Sequence, residues 1–509
     1  MLTRRRFLRQ LGLSAAGLAL ADRILADPYA PLDDPGALLG RPMVQGGWRA
    51  VRVTGRVTID GRGQRGVAVS DGLAVARTQS DGRYELLADP RQPFLFATVP
   101  AGSRIPVTDR GTARFHRPLA ADARSEMAAS FAFETLPGGD RRHALFLLAD
   151  PQTQDARDVG LLHAESVPDL AAEVRRMGSV PCLGVACGDI MFDRLEHFPD
   201  YERAVRAIGL PCFQVVGNHD VEIAARSDEA SVRTFERHFG PTYYSLDRGE
   251  VHYVVLDDVL WHGRGYVGYL DQRQIDWLAA DLAGLERGAR VVVCLHIPPL
   301  CTLHTRRGEE SPGDTISIVN RELLYALLER FQSTILCGHM HETEFLSDGG
   351  CDIHVCGAVC GAWWTGPICH DGTPNGYMVY EVSGAELKPR YKATGHSPEH
   401  QMRLYGPAKN GSTDRQVLAN VWAAGPGWRI EWYENGERRG PMTARRSRDP
   451  LSIRLHEGPE KPTPRAWVEP VATDHVFVAT PSRRAREVTV EASDPWGRVS
   501  RETITLGAR

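Results

Sequence analysis

The chain is 509 residues long, room for about three domains of ordinary size, and its 42% hydrophobic and 24% charged residues are those of a globular protein. A formal net charge of −4 argues against a dedicated nucleic-acid binder, which would carry a broad basic face. No run beyond the N-terminus approaches the roughly 18 apolar residues of a membrane span.

The first residues stand apart from any fold. The stretch TRRRFLRQLGLSAAGLALA carries Thr3, Arg4 and Arg5, then Phe7 and Leu8, an apolar run from Leu11, and Ala19-x-Ala21 as a cleavage motif. It resembles a bacterial twin-arginine export signal over 1–26. The resemblance implies a periplasmic protein exported in the folded state.

From Val51 to about Thr135 short Val-rich and aromatic strands alternate with turns, and Asp60-Gly61, Asp71-Gly72 and Asp81-Gly82 are hairpin signals. The expectation is a small antiparallel β-sandwich over 45–136. It offers no cluster of acids, His or Cys, so packing is its expected role.

Five short blocks then follow, each ending an apolar run that reads as a buried strand. They are Asp150-Pro151-Gln152, Gly188-Asp189, Gly217-Asn218-His219-Asp220, His296, and Gly338-His339-Met340-His341. Chemistry placed where strands give way to loops is the site geometry of an open α/β sheet. Oxygen and imidazole donors without thiolate suit Mn, Fe, Zn or Mg ions, not a closed structural zinc site.

Between these blocks lie the segments expected to choose the substrate. A hairpin carries Tyr243 and Tyr244, and Ile275, Leu278 and Leu282 follow helical spacing. The loop from Cys301 to Thr315 offers His304, Arg306 and Arg307 to a phosphate or another acidic group of a substrate, with a solvated loop as the alternative. Trp363 and Trp364 are placed to stack on a ring of the substrate or to pack between domains. All ten cysteines fall between Cys182 and Cys369. Cys182, Cys187, Cys212, Cys294 and Cys337 sit in strand runs as small hydrophobes. Cys301, Cys351, Cys356, Cys360 and Cys369 lie near loops, where an oxidising compartment permits disulfides of unspecified pairing. A second β domain is expected over 406–509, with a hairpin at Asn435-Gly436 and the markers Asp449-Pro450, Trp467 and Asp494-Pro495-Trp496-Gly497. Arg445, Arg446 and Arg448 read as a solvated turn.

The order and spacing of the five blocks resemble the calcineurin-like metallophosphoesterases, and the flanking segments are similar to the N- and C-terminal domains of a three-domain subgroup. The resemblance implies an α/β fold: a four-layer αββα sandwich over 140–400 flanked by two small all-β domains. It implies two divalent ions, one held by Asp150, Gln152, Asp189 and His341, the other by Asp189, Asn218, His296 and His339, with Asp189 bridging. Gln152 stands in the family's usual His slot, as in a D-P-Q subgroup, and its harder carbonyl favours Mn, Mg or Fe. Phe192 fills the slot where purple acid phosphatases carry a Tyr ligand, and the second Asp of the GDxxD motif is shifted to Asp193. Two cations about 3.5 to 4 Å apart activate a bridging water as hydroxide and neutralise the in-line transition state of phosphate-ester hydrolysis. By the same resemblance His219 is the general acid, its ring oriented by a carboxylate such as Asp220 or Asp189. The expected partner is a small phosphorylated substrate, monoester or diester. A nuclease or nucleotidase on the same centre, or a non-catalytic cell-envelope binding protein, are the alternatives.

Overall fold

The computed structural model describes residues 50–119, 126–407, 415–459 and 461–506; the segment similar to an export signal lies outside the described residues. In the central region two sheets face each other. One runs in the order Cys212–Val215, Cys182–Cys187, Arg142–Leu148, Gly376–Ser383, Glu386–Ala393. Its first three strands are parallel, and the last two are antiparallel additions. The other runs Tyr244–Arg248, Val251–Val255, Arg290–Cys294, Gln332–Cys337, Cys351–Val355, Glu344–Asp348.

The period of two in a strand explains the layering. Leu145, Leu147, Leu183, Val185, Phe213 and Val215 enter the same core as Val291, Val293, Ile335 and Val355 of the second sheet. The alternate residues Ala144, Phe146, Leu148 and Ala186 enter a separate core with Leu170, Tyr201 and Val205 of the helices Val167–Arg176 and Phe198–Ile208. Lys392 Nζ on Asp169 (2.7 Å) and Arg390 on Glu173 (2.6 Å) tie the first of those helices to the strand Glu386–Ala393. Beside the other sheet, the helix Gln272–Leu282 buries Ile275, Leu278 and Leu282. The result is the four-layer αββα sandwich.

That last helix is fastened by a charge. His252 Nδ1 lies 2.7 Å from Asp247 Oδ1 and Nε2 lies 3.0 Å from Asp281 Oδ2, an arrangement in which both nitrogens donate only as imidazolium. Burial lowers the His252 pKa, but Asp281 and then Asp247 outweigh it and raise it to about 10. Because the folded pKa exceeds the unfolded value near 6.5, the stabilisation is complete below pH 6.5 and is lost as pH rises toward 10. His252→Gln is therefore expected to cost about 3 kcal/mol near pH 6.5. Urea unfolding across pH 6 to 10 should show that difference shrinking; a pH-independent difference would remove the imidazolium.

The N-terminal domain departs from the expected antiparallel sandwich. Its long strand Val51–Ile59 pairs antiparallel with Arg83–Ala88, but parallel with Glu126–Ala128 and Phe131–Phe133. The chain leaves the strand and returns after a long excursion, a connection that parallel pairing requires and that local alternation does not register. The Asp60-Gly61 turn has positive φ at both residues (49° and 76°), as a two-residue hairpin requires. This domain also touches the open side of both central sheets, where Thr112 bridges to Cys212 and Val99 to Leu246. Each partner lies on an edge strand.

The C-terminal domain has two four-stranded sheets around Val417, Val421, Ile430, Val488 and Val490. Asn435-Gly436 forms its hairpin with φ of 49° and 83°. Polar contacts fix it to the central domain: His475 Nε2 lies 3.0 Å from Asp371 Oδ2, and Asn420 Nδ2 donates to Asp371 O at 3.1 Å. Among the described residues no helix is long and apolar enough to cross a membrane.

Candidate metal centre

The five blocks converge at the C-terminal ends of strands from both sheets. Asp150, Asp189 and Asn218 follow the three parallel strands of the first sheet, while His296, His339 and His341 follow adjacent parallel strands of the second. Local backbone geometry turns the donors inward. Asp150, Gln152, Asp189, His339 and His341 all have positive φ, between 40° and 69°, a region costing non-glycine residues on the order of 1 to 3 kcal/mol each. Strain concentrated in this way marks a functional site. Two glycines admit the close approach. A Cβ on Gly188 would lie 2.3 Å from His296 Nδ1, and one on Gly217 would lie 2.0 Å from the Asp189 amide nitrogen.

On one side, ligand atoms of Asp189, His296 and His339 lie within 4.8 Å of one another. His296 Nδ1 donates to Cys187 O at 3.0 Å, which turns Nε2 toward the cluster. That Nε2 is 3.3 Å from Asp189 Oδ1, 3.1 Å from Asn218 Oδ1 and 3.2 Å from His339 Nδ1. On the other side, His341 Nδ1 donates to Gly361 O at 2.6 Å, while its Nε2 is buried without a hydrogen-bond partner and lies 3.6 Å from Asp150 Oδ1. The Gln152 amide reaches Asp189 Oδ2 at 2.9 Å. The structure thus brings together all seven residues expected as ligands, in two groups that share Asp189.

The electrostatics match a cation site. Burial holds His339 and His341 down near pKa 3, neutral as ligands must be, whereas at His296 burial is outweighed by Asp189, which raises the pKa to about 10 and puts a positive charge among the carboxylates where a divalent cation would sit. Burial pushes Asp150 well above the usual carboxylate range, whereas His296 and His219 overcome burial and hold Asp189 low. Buried carboxylates beside an orphaned imidazole lone pair form an arrangement that divalent cations satisfy. The residues present therefore fit the group, and the donor set has the oxygen and nitrogen character expected from the sequence.

His219 sits beside this cluster. Its amide donates to Asp189 Oδ1 (2.9 Å), and its ring Nδ1 lies 2.7 Å from Asp193 Oδ1. Burial lowers its pKa, but Asp189 and Asp193 outweigh it and raise it. The expectation for Asp220 is corrected here. Its carboxylate accepts from the amides of Ile190 (3.0 Å), Met191 (2.9 Å) and Gly217 (3.0 Å), so it braces two motif loops and does not orient the ring. Asp193 does, from the shifted position in the GDxxD motif.

Two of the expected substrate residues are also corrected. The Arg306 side chain is 3% exposed, paired with Glu342 and bonded to Ala472 O of the C-terminal domain. It is an interdomain clamp, and Arg306→Ala should destabilise the fold by about 3 to 5 kcal/mol, since it strands a buried carboxylate. Thermal unfolding would measure this, with KM unchanged in the folded variant. Trp364 is buried, and its Nε1 donates to Pro151 O at 3.1 Å, so it packs beneath the first motif. His304 lies on the short helix Leu303–Arg307, not an open loop, and its nitrogens meet Cys301 O (3.1 Å) and Thr305 Oγ1 (3.2 Å) within that turn. Trp363 does reach the centre, stacked on His341 at 3.9 Å and 15°. All ten cysteines are free, and those near loops are buried. The centre also has neighbours from the C-terminal domain, Arg465 and Trp467. Nothing local in the sequence marks them as such.

Parts of the chain are similar to known proteins. A family model for the N-terminal domain of calcineurin-like phosphoesterase matches residues 51–136, and one for the C-terminal domain matches residues 353–499. Serine/threonine-protein phosphatase CPPED1 of Bos taurus is 24% identical over 229 residues, covering 43% of this chain and 69% of that protein. The Homo sapiens protein of the same name is 28% identical over 229 residues with the same coverage, 43% and 69%. A solved dimetal phosphatase from Danio rerio is 16% identical with a TM-score of 0.34, covering 50% of this chain and 96% of that one. The calcineurin-like phosphoesterases to which these matches point are associated with divalent metal ions.

Proposed function

We propose that this chain, which carries the flanking domains of the calcineurin-like phosphoesterases and is a phosphoric ester hydrolase, cleaves a small phosphate ester on a two-metal centre with His219 as general acid. The observation that carries the reading is the buried, unpartnered Nε2 of His341 facing Asp150, across Asp189 from the His296–His339 pair. Asp150, Gln152, Asp189 and His341 would hold one ion, and Asp189, Asn218, His296 and His339 the other. Bound divalent cations supply the charge that acidifies a water and offsets the negative charge of the in-line transition state.

The chain's own residues supply the rest. Asp193 accepts from His219 Nδ1, which fixes the ring and leaves Nε2 to carry the proton passed to the departing oxygen. Gly361 O fixes His341, and Cys187 O fixes His296, so each presents Nε2. Gln152 in place of an imidazole favours Mn, Mg or Fe over Zn at its site. The reading extends to export: Arg4 and Arg5 support passage of the folded, metal-loaded protein to the periplasm, and retention in the cytoplasm on Arg4→Lys with Arg5→Lys would test it.

The deciding experiment compares hydrolysis of p-nitrophenyl phosphate and bis-p-nitrophenyl phosphate, with metal content, before chelation, after it, and after return of Mn, Fe, Zn or Mg. Loss of turnover with metal removal and its return with two ions per chain is the expected result, and the faster ester assigns monoesterase or diesterase. Full turnover in metal-free protein would overturn the proposal.

A further inference from the structure

The C-terminal domain reaches the centre through one short stretch. Arg465, whose side chain is 8% exposed, pairs with Asp158 at 2.5 Å, donates to Gln154 Oε1 at 3.2 Å, and is bonded to Trp363 O. Its guanidinium lies 5.6 Å from the centre of the Phe192 ring, and Phe192 meets His219 edge-on at 4.4 Å. Arg465 thus joins two groups: the phenyl ring beside the proposed proton donor, and the backbone of the indole stacked on His341.

Two residues further on, Trp467 packs against Trp363 at 4.6 Å and 67°. Trp467 is nonetheless 55% exposed, the one aromatic among the exposed large hydrophobic side chains of the described residues. An indole half in water, braced by a second indole that is itself fixed on a ligand of the centre, is a preorganised apolar surface. Such surfaces recognise flat rings by stacking and area burial. Contacts through Trp363, Arg465 and Phe192 connect it to His219, the proposed proton donor to the leaving group.

Resting on the phosphoesterase reading above, we infer that Trp467, supplied by the C-terminal domain and backed by Trp363, is a specificity-determining residue that selects esters whose leaving group is a planar aromatic ring. A small alkyl leaving group does not reach the indole and gains nothing from it. Stacking of this kind is worth about 0.5 to 1.5 kcal/mol, which is roughly a two- to twelvefold change in affinity.

The test uses the full chain loaded with metal and two non-hydrolysable probes, phenylphosphonate and methylphosphonate, with binding followed by calorimetry. The native protein should bind phenylphosphonate the more tightly. Trp467→Ala should lose about two- to twelvefold in affinity for phenylphosphonate with methylphosphonate unchanged, and Trp467→Phe should retain most of the preference. In turnover, Trp467→Ala should raise KM for phenyl phosphate and leave kcat alone, with glycerol 2-phosphate unaffected. An unchanged phenyl-to-methyl ratio in Trp467→Ala, or equal binding of both probes by the native protein, overturns the inference alone. Failure of both probes to bind the metal-loaded native protein overturns the phosphoesterase reading and this inference with it.

Discussion

Asp189→Asn is expected to lower phosphate-ester hydrolysis on the order of 10³-fold or more, because one carboxylate serves both halves of the centre. Its Oδ1 lies 3.3 Å from His296 Nε2 and its Oδ2 lies 2.9 Å from the Gln152 amide. Asparagine keeps the volume and one oxygen for the His219 amide, which donates to Oδ1 at 2.9 Å. The loops should therefore hold while the negative charge between two cations disappears. Metal analysis beside the rate separates causes: a stoichiometry falling below two per chain ties the loss to the ions. A variant with full metal and native turnover would take Asp189 out of the centre.

The second large effect concerns His219, and its size should depend on the ester. His219→Gln is expected to cost about 10²- to 10⁴-fold on an alkyl ester, whose departing alkoxide needs a proton, and far less on p-nitrophenyl phosphate, whose phenolate leaves unaided. The ring makes its contacts with Asp193 and Phe192, so metal content should stay as in the native protein. Asp193→Asn, which keeps a hydrogen-bond acceptor but removes the charge, should show a weaker form of the same pattern. Equal losses on both esters would mean that His219 positions substrate or metal and does not donate the proton.

The strands bearing the donors were legible because a buried parallel strand is a short apolar run and a donor must stand at its end. The runs closing on Asp150, Asp189, Asn218, His296 and His339 follow that rule. Partner choice among neighbouring acids was not legible. Asp220 adjoins His219 in the chain, yet the loop folds it under the backbone, and Asp193, 26 residues away, meets the ring. The same limit applies to charge. Arg306 in a polar stretch has the look of a solvated or phosphate-binding residue, and only the approach of Glu342 and of the C-terminal domain makes it a buried clamp. Trp363 and Trp364 are adjacent and chemically identical, but on a turn where both have positive φ (54° and 58°) one stacks on His341 and the other lies beneath Pro151. Trp467 owes its place to a docked domain, which no local pattern encodes.

The bridges from Thr112 to Cys212 and from Val99 to Leu246 bear on how the molecule is made. Strands at the rim of a sheet carry unpaired backbone groups that recruit strands from other chains. Here the covering segment precedes both rims in the chain, so during synthesis it leaves the ribosome before the strands at 212–215 and 244–248. Each rim meets its own shield as it forms, and the interval in which a neighbouring nascent chain could pair with it is short. Moving the N-terminal domain to the other end by circular permutation would leave the finished contacts intact but reverse that order, and the yield of soluble protein would fall although the folded product is the same.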